Sequence, residues 1–221
     1  MDSKEWSTSA YWQGRFEQED TPWQLDGVST VLIEALNELV SLGDILRGKR
    51  VLSPGCGRGL DALELARHGA HVLAVDWSER AVRDLRTQWE SLRGGVDGTL
   101  EVVAGDFFAL KPEPLDLVLE HTFFCAVDPS LRSQYVLRMA EWVKPCGYIV
   151  GNFFVLSEEE VVALSNRSLS SHGDGPPFAS TETELRGLFE NSFSCNVLRP
   201  ARSSAPDRRP GMEWVGLFQR K

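Results

Sequence analysis

Short apolar runs alternate with longer amphipathic stretches along most of the chain, and this pattern predicts strands and helices in turn. Apolar runs predict strands at 49–54, 71–75, 100–104, 115–120 and 148–155. The stretches between them predict helices at 60–68, 79–92 and 129–143. Two further apolar runs, at 195–199 and 213–219, are separated by a long loop instead of a helix.

Strands that alternate with helices indicate right-handed βαβ units, and therefore a mostly parallel sheet with helices on both faces. The last two strands, joined by a loop alone, predict an antiparallel hairpin at one edge of that sheet. Residues 28–46, before the first strand, have helical periodicity. We therefore predict one α/β domain over 1–221, with a seven-stranded core at 49–221 and an arm and helix at 1–48.

Polar residues, Pro and Gly predict where individual helices begin and end. Thr181 with Glu184 has the spacing of a capping box, which opens a late helix. The Asp-Pro pair at 128–129 is typical of an N-cap followed by Pro at the first helical position. Pro145 and Gly147 predict the end of the helix that this pair opens.

The composition is that of an ordinary globular protein, and it changes the picture mainly through its charge. The chain has 221 residues, with 23 Lys and Arg against 32 Asp and Glu, for a formal net charge of −9. A chain this acidic repels a phosphate backbone, so nucleic acid is disfavoured as a partner. A small-molecule partner suits the charge better, and we expect a monomer or a weak homodimer.

The sequence also bears on location. No apolar run approaches the roughly 20 residues of a membrane helix, and the polar N-terminus lacks the apolar core of a secretory signal. We therefore expect a cytoplasmic protein without membrane contact. Cys56, Cys125, Cys146 and Cys195 form no CxxC pair, so we expect reduced thiols and no metal site.

A glycine-rich loop, GCGRG at 55–59, follows the first predicted strand and precedes a helix. In open α/β sheets ligands bind at the carboxyl ends of the strands, and glycines there let the backbone approach a ligand closely. Asp76 follows Gly57 by 19 residues and ends the next strand. A carboxylate at this place can accept two hydrogen bonds from a ribose diol, which favours a nucleoside cofactor.

The spacing of the glycines indicates which class of nucleoside cofactor the loop binds. A dinucleotide site needs G-x-G-x-x-G, and Leu60 stands where the third Gly should fall, which disfavours NAD and FAD. No GK[ST] follows, so a Walker loop is excluded. The shorter spacing is associated with S-adenosylmethionine, for which Asp106 is placed to bond the adenine amino group, with Phe107 beside the ring. The alternative is that the loop is only a tight turn and Asp76 a helix cap.

Four stretches, VLSPGCGRGLDALELARHG, VLAVDWS, AGDFF and LDLVLEHTFFCAVDPSLR, resemble class I S-adenosylmethionine-dependent methyltransferases. Residues 11–23, 121–132 and 173–181 resemble, more narrowly, the thiopurine S-methyltransferase family, and within it the thiol and halide methyltransferases. The resemblance covers nearly the whole chain. It implies a Rossmann-like class I methyltransferase fold with S-adenosylmethionine as cofactor, and an N-terminal arm and helix that cover the active site.

The resemblance also implies which residues form the site. Those implied in cofactor binding are Trp12, Phe16, Trp23, Gly55, Gly57, Asp76, Trp77, Asp106, Phe107 and His121. Trp23 is also implied beside the acceptor. Phe123 is a candidate for the acceptor wall on its residue type, and a core position is the alternative. His121 is the candidate catalytic residue, to orient the acceptor or deprotonate a thiol. The other reading of His121 is a histidine hydrogen-bonded near the sheet edge.

The chemistry of a sulfonium methyl group narrows the choice of reaction. The methyl is already activated, so catalysis is chiefly positioning and desolvation, and a thiol or a halide needs little help from a base. The leading hypothesis is methyl transfer to a thiol, bisulfide or halide. The alternatives are O- or N-methylation of a small metabolite on the same fold, and a cofactor-binding protein without turnover. A nucleic-acid methyltransferase is disfavoured by the charge and by the lack of an N-P-P-[YF] element.

Overall fold

The computed structural model describes residues 5–43, 46–92, 96–165, 175–203 and 211–221. The α-helices in these ranges are α1 (Ser9–Glu17), α2 (Thr30–Ser41), α3 (Leu60–Arg67), α4 (Glu79–Leu92), α5 (Arg132–Trp142), α6 (Glu158–Ser165) and α7 (Glu182–Phe189). The strands are β1 (Arg50–Pro54), β2 (His71–Asp76), β3 (Thr99–Ala104), β4 (Leu115–His121), β5 (Val143–Phe154), β6 (Phe193–Pro200) and β7 (Glu213–Arg220). None of the described helices is long and apolar enough to cross a membrane.

The seven strands form one sheet in the order β3-β2-β1-β4-β5-β7-β6. Strands β1 to β5 run parallel, whereas β7 pairs antiparallel with both β5 and β6. The predicted α/β fold, with its parallel sheet and antiparallel C-terminal hairpin, is therefore confirmed. The carboxyl ends of all five parallel strands lie at the same edge of the sheet, and this edge carries the site.

Both faces of the sheet are covered, which is why most of its strands read as continuous apolar runs. One face packs against α2, α3 and α4, with Leu32, Leu63 and Leu85 among its buried residues. The other face packs against α5 and α7 and is rich in aromatic rings. Phe189 and Phe218 stack there with ring centroids 4.4 Å apart.

The predicted cap at Thr181 is confirmed in part. The Glu184 N–H donates to Thr181 Oγ1 at 3.1 Å. The Glu184 carboxylate does not complete the box, because it accepts instead from Arg132 Nη1 at 2.7 Å. Arg132 is buried and also donates to the backbone oxygens of Phe178 and Ala179. A buried guanidinium thus fastens the segment that leads into α7.

The helix predicted over 129–143 is shorter at both ends. It begins as a 3-10 turn, Pro129–Leu131, and α5 itself runs from Arg132 to Trp142. The segment with Pro145 and Gly147 is not a loop but the irregular start of β5, because Val143 pairs with Leu115 before the register shifts. Such a bulge accommodates a Pro without a ladder donor at a strand start.

The N-terminal arm contains a helix, α1, that the hydrophobic pattern did not predict. Thr8 caps it, accepting from the Tyr11 N–H at 3.3 Å. Gln13 on α1 accepts from Ser78 Oγ at 3.0 Å and from the Arg80 N–H at 3.3 Å. These bonds tie the arm to the start of α4, next to the carboxyl end of β2.

Candidate functional site

A cavity of about 580 Å³ opens at the carboxyl edge of the sheet. The tips of β1 to β4, and the loops that follow them, form its base, while β5 and β7 contribute Asn152 and Glu213. Residues of the arm cover it from the other side. Its volume lies within the range of small-molecule sites, and its wall is mostly apolar with a few polar groups.

The glycine loop forms the part of the wall next to β1. Gly55 and Gly57 have φ of +55° and +53°, a region that side chains disfavour. A Cβ on Gly55 would lie 2.3 Å from Phe123 Cδ2, and a Cβ on Gly57 would lie 2.3 Å from Gln24 Nε2. The loop therefore needs Gly at both positions, and it presents bare backbone to the cavity.

Asp76 ends β2 and lies directly beside the glycine loop. Its Oδ2 accepts from the Gly57 N–H and its Oδ1 from the Ser78 N–H, each at 2.8 Å. Burial raises the pKa of Asp76, and backbone N–H donors, those of Ser78, Gly57 and Trp77, offset part of that rise. Each carboxylate oxygen has two acceptor sites, so both oxygens retain capacity for a hydroxyl pair.

Asp106 and Phe107 follow the tip of β3, one strand further along the sheet. Asp106 Oδ1 accepts from the Phe108 N–H at 2.9 Å and so caps a 3-10 turn. Phe107 is only 4% exposed and lies 5.0 Å from Phe123 and 5.5 Å from Tyr135, measured between ring centroids. It is thus a core residue whose edge also lines the cavity.

Aromatic side chains of the arm cover the cavity. The Trp12 and Trp23 rings meet edge to face at 5.5 Å, and Phe16 lies 6.1 Å from Trp23. Arg15 lies over Trp23 at 4.8 Å, and its charge is paired with Asp20 at 2.8 Å. The arm therefore lines this side of the site with a connected group of rings.

Ten of the residues that the sequence places at the site line this one cavity. They are Trp12, Phe16, Trp23, Gly55, Gly57, Asp76, Trp77, Asp106, Phe107 and Phe123. Phe123 packs in the aromatic cluster of the second face and also borders the cavity.

The structure places His121 elsewhere, in a smaller pocket of about 50 Å³ behind the glycine loop. Its Nδ1 lies 2.7 Å from Asp61 Oδ2, and Asp61 Oδ1 accepts from the Ser29 N–H at 2.9 Å. His121 Nε2 is buried without a hydrogen-bond partner in the described part of the chain. The side chain points towards α3 because residues alternate between faces along β4, and Glu120 takes the opposite face.

Glu120 is a residue whose role the sequence did not reveal. It is fully buried, and its Oε1 accepts from the backbone N–H groups of Phe123 and Phe124 at 2.7 and 2.8 Å. Its Oε2 accepts from Tyr135 Oη at 2.9 Å. Burial raises the pKa of Glu120 to about 7 despite these donors. The carboxyl group thereby holds the turn that carries Phe123 into the cavity wall.

Asn152 and Glu213 are also cavity residues that the sequence did not single out. Asn152 Nδ2 donates to Glu213 Oε1 at 2.8 Å, across β5 and β7. The two residues are diagonal neighbours on one face, because Asn152 lies opposite Val215 and Glu213 opposite Phe154. The signal available in the sequence was a polar residue within each of two apolar strands.

The segment that begins at 175 completes the wall with Pro176 and Pro177. The Phe178 N–H donates to the Cys125 carbonyl, which joins this segment to the turn after β4. Of the 173–181 motif quoted above, residues 173 and 174 lie outside the described residues. The four cysteines form no disulfide in the structure.

Comparison with known proteins adds to this geometry. The sequence profile of the thiopurine S-methyltransferase (TPMT) family matches residues 7–219. A probable thiol methyltransferase 2 of Arabidopsis thaliana is 32% identical over 217 residues, covering 97% of this chain and 86% of that protein. A thiocyanate methyltransferase 1 of the same plant is 30% identical over 213 residues, covering 95% and 84%.

The fold also has solved counterparts. Magnesium protoporphyrin IX methyltransferase from Synechocystis PCC 6803, determined with bound SAM, aligns with 100% of this chain and 99% of its own length. The TM-score is 0.72 at 16% sequence identity. At this identity the likeness concerns the fold, and it agrees with the Rossmann-like class I architecture described above.

Proposed function

The chain belongs to the thiopurine S-methyltransferase family, and from this premise we propose that it methylates a small soft nucleophile: a thiol, bisulfide or halide. It is an S-adenosylmethionine-dependent methyltransferase, and the acceptor is the part that we propose. One observation carries the proposal: the imidazole of His121 lies off the wall of the main cavity and is held by Asp61. An acceptor that needs no imidazole base suits this arrangement.

The residues present fit S-adenosylmethionine. Gly55 and Gly57 border the cavity with bare backbone, which allows a ligand to approach closely. Asp76 retains acceptor capacity on both oxygens for the ribose hydroxyls. Asp106 and Phe107, one strand further, are the residues to hold the adenine.

When bound, the cofactor would supply a methyl group attached to a sulfonium sulfur. The bond from the acceptor to the methyl carbon would form as the bond from that carbon to sulfur breaks, and the electron pair of the broken bond would stay on the sulfur. The protein's part is to position the acceptor and to exclude water. Trp12 and Trp23 border the cavity, and a ring face that met the cation would contribute about 0.5–2 kcal/mol. A thiol with a pKa of about 8.5 supplies some thiolate at neutral pH, and its proton passes to solvent.

Methyl transfer is tested with purified protein, methyl-labelled S-adenosylmethionine and a panel of acceptors: iodide, bisulfide, small thiols, an aryl thiol and catechol. We expect label in thioether or volatile products from the thiols and soft anions. His121→Asn keeps a polar side chain beside Asp61 and should leave these rates within about threefold, because the histidine does not act as the base.

Other outcomes would direct the assignment elsewhere. Label in the catechol product, lost in the His121→Asn variant, would favour O-methylation with His121 as base. Tight cofactor binding without a methylated product from the panel would indicate a binding protein without turnover. Either result would contradict the proposed acceptor class.

A further inference from the structure

We propose that the acceptor is an organic thiol that carries a hydrogen-bond donor, such as a protonated amine, and that Asn152 and Glu213 bind this donor. The proposal rests on the proposed function, because it specifies which soft nucleophile the cavity takes. It is argued from where the polar groups of the cavity lie, what they already bond, and the charge they carry.

The two ends of the cavity lie on different strands. Asp76 ends β2 and Asp106 follows β3, whereas Asn152 and Glu213 lie on β5 and β7. Strands β1 and β4 separate the two groups, so β2 and β5 are three strand spacings apart, about 14 Å. If the first pair holds the adenosine, then the second pair is left for the other reactant.

The amide of Asn152 is incompletely bonded. The residue is 1% exposed and borders the cavity, and Nδ2 donates to Glu213 Oε1 at 2.8 Å. Asn152 Oδ1 is buried and has no hydrogen-bond partner within the described ranges. A buried acceptor costs free energy unless a donor reaches it. A ligand with an N–H group would supply that donor, whereas a bare halide would not.

The charge of the cavity points the same way. Among the described residues that line it, Asp76, Asp106, Asp128 and Glu213 are acidic and Arg15 is basic. Arg15 is paired with Asp20. By formal charge the described lining is more acidic than basic, and this favours a cationic donor over an anion.

Three thiols of similar size test the proposal: 2-aminoethanethiol, 1-propanethiol and 2-mercaptoethanesulfonate. For each, kcat/KM is measured with the wild type and with Glu213→Gln, and the ratio of the two cancels differences in intrinsic thiol reactivity. We expect Glu213→Gln to lower kcat/KM for the aminothiol about tenfold and to leave kcat/KM for propanethiol within about twofold. The same variant should raise kcat/KM for the sulfonate. The matched control is Glu190→Gln, because Glu190 is an exposed residue at the end of α7 and lies outside the cavity lining.

A second variant and a binding measurement keep the test independent of folding and turnover. Asn152→Leu removes the unbonded acceptor and should lower kcat/KM for the aminothiol about tenfold with little effect on propanethiol. Calorimetry on the protein saturated with S-adenosylhomocysteine measures aminothiol binding directly. Binding that is lost in both variants supports the proposal even if no thiol is methylated, which would refute the proposed function alone.

The proposal fails if Glu213→Gln lowers kcat/KM equally for all three thiols, because that result assigns Glu213 a structural role. It also fails if the wild type binds the sulfonate more tightly than the aminothiol. Methyl transfer that proceeds equally well with every thiol would leave the proposed function intact and refute the donor subsite.

Discussion

The cavity has two halves that differ in how their polar groups are satisfied. In the half formed by β1, β2 and β3, Asp76 accepts from two backbone N–H groups and Asp106 from one. In the half formed by β4, β5 and β7, Asn152 Oδ1 is buried and has no partner in the described part of the chain. The first half is held in place by its own backbone, and the second depends more on distant segments.

This difference in hydrogen bonding suggests a different role for each half of the cavity. Backbone donors hold the Asp76 carboxylate in one position. A rigid site of this kind suits a ligand of constant structure, such as a cofactor. An unbonded polar atom costs stability, and it is retained where a ligand completes it. This difference supports our proposal that the second half is the part that specifies an acceptor.

The largest expected effect comes from breaking the first half. Asp76→Asn places an NH₂ group against the N–H of Gly57 or of Ser78 and removes the charged carboxylate that we propose accepts from the ribose hydroxyls. We expect about a 100-fold weaker affinity for S-adenosylhomocysteine, measured by calorimetry. Asp106→Asn keeps an oxygen for the Phe108 N–H, and its affinity for S-adenosylhomocysteine should fall only about tenfold. Equal losses in the two variants would show that Asp76 contributes no more than Asp106 to cofactor affinity.

Glu120 tests the second half through its effect on stability. Its folded pKa of about 7 lies above its ordinary value, so the protonated form is favoured in the fold. The stabilisation is present below about pH 4.5 and is lost as the pH rises through 7. From this group we expect a loss of up to roughly 2 kcal/mol between pH 5 and 7.5, measured by urea unfolding.

Glu120→Gln keeps an acceptor for Phe123 and Phe124 and removes the titration. The variant should therefore show a flatter dependence of unfolding free energy on pH. Glu141→Gln, whose side chain is largely exposed on α5, should behave as the wild type does. A slope that Glu120→Gln leaves unchanged would assign the pH dependence to another group.

The smallest expected effect probes the contact between the halves. Gly55→Ala would place its Cβ against Phe123, and Gly59→Ala would place its Cβ against Leu85, each at 2.3 Å and at positive φ. Both variants should be destabilised, by about 1–2 kcal/mol from backbone strain alone. We expect only Gly55→Ala, which lines the main cavity, to weaken S-adenosylhomocysteine about tenfold. Comparable weakening in Gly59→Ala would mean that general strain, and not the contact, is responsible.

Much of the first half could be predicted from residue order. Asp76 and Asp106 follow apolar runs, and the carboxyl ends of parallel strands meet at one edge, so both acids had to lie near the glycine loop. The direction of His121 could not be predicted in this way. It depends on which face of β4 each side chain takes, and the burial of Glu120 decides that alternation.

The sequence by itself determined the order of the strands and of the helices between them, the glycine loop, and the acids at two strand tips, because periodicity and spacing along the chain encode them. Only the tertiary structure decided that Asn152 meets Glu213, 61 residues away. That contact depends on the register of β5 against β7, and register is set by packing of the whole sheet. Local spacing was thus enough to predict the acids of the first half, whereas the Asn152–Glu213 contact of the second half required the pairing of distant strands.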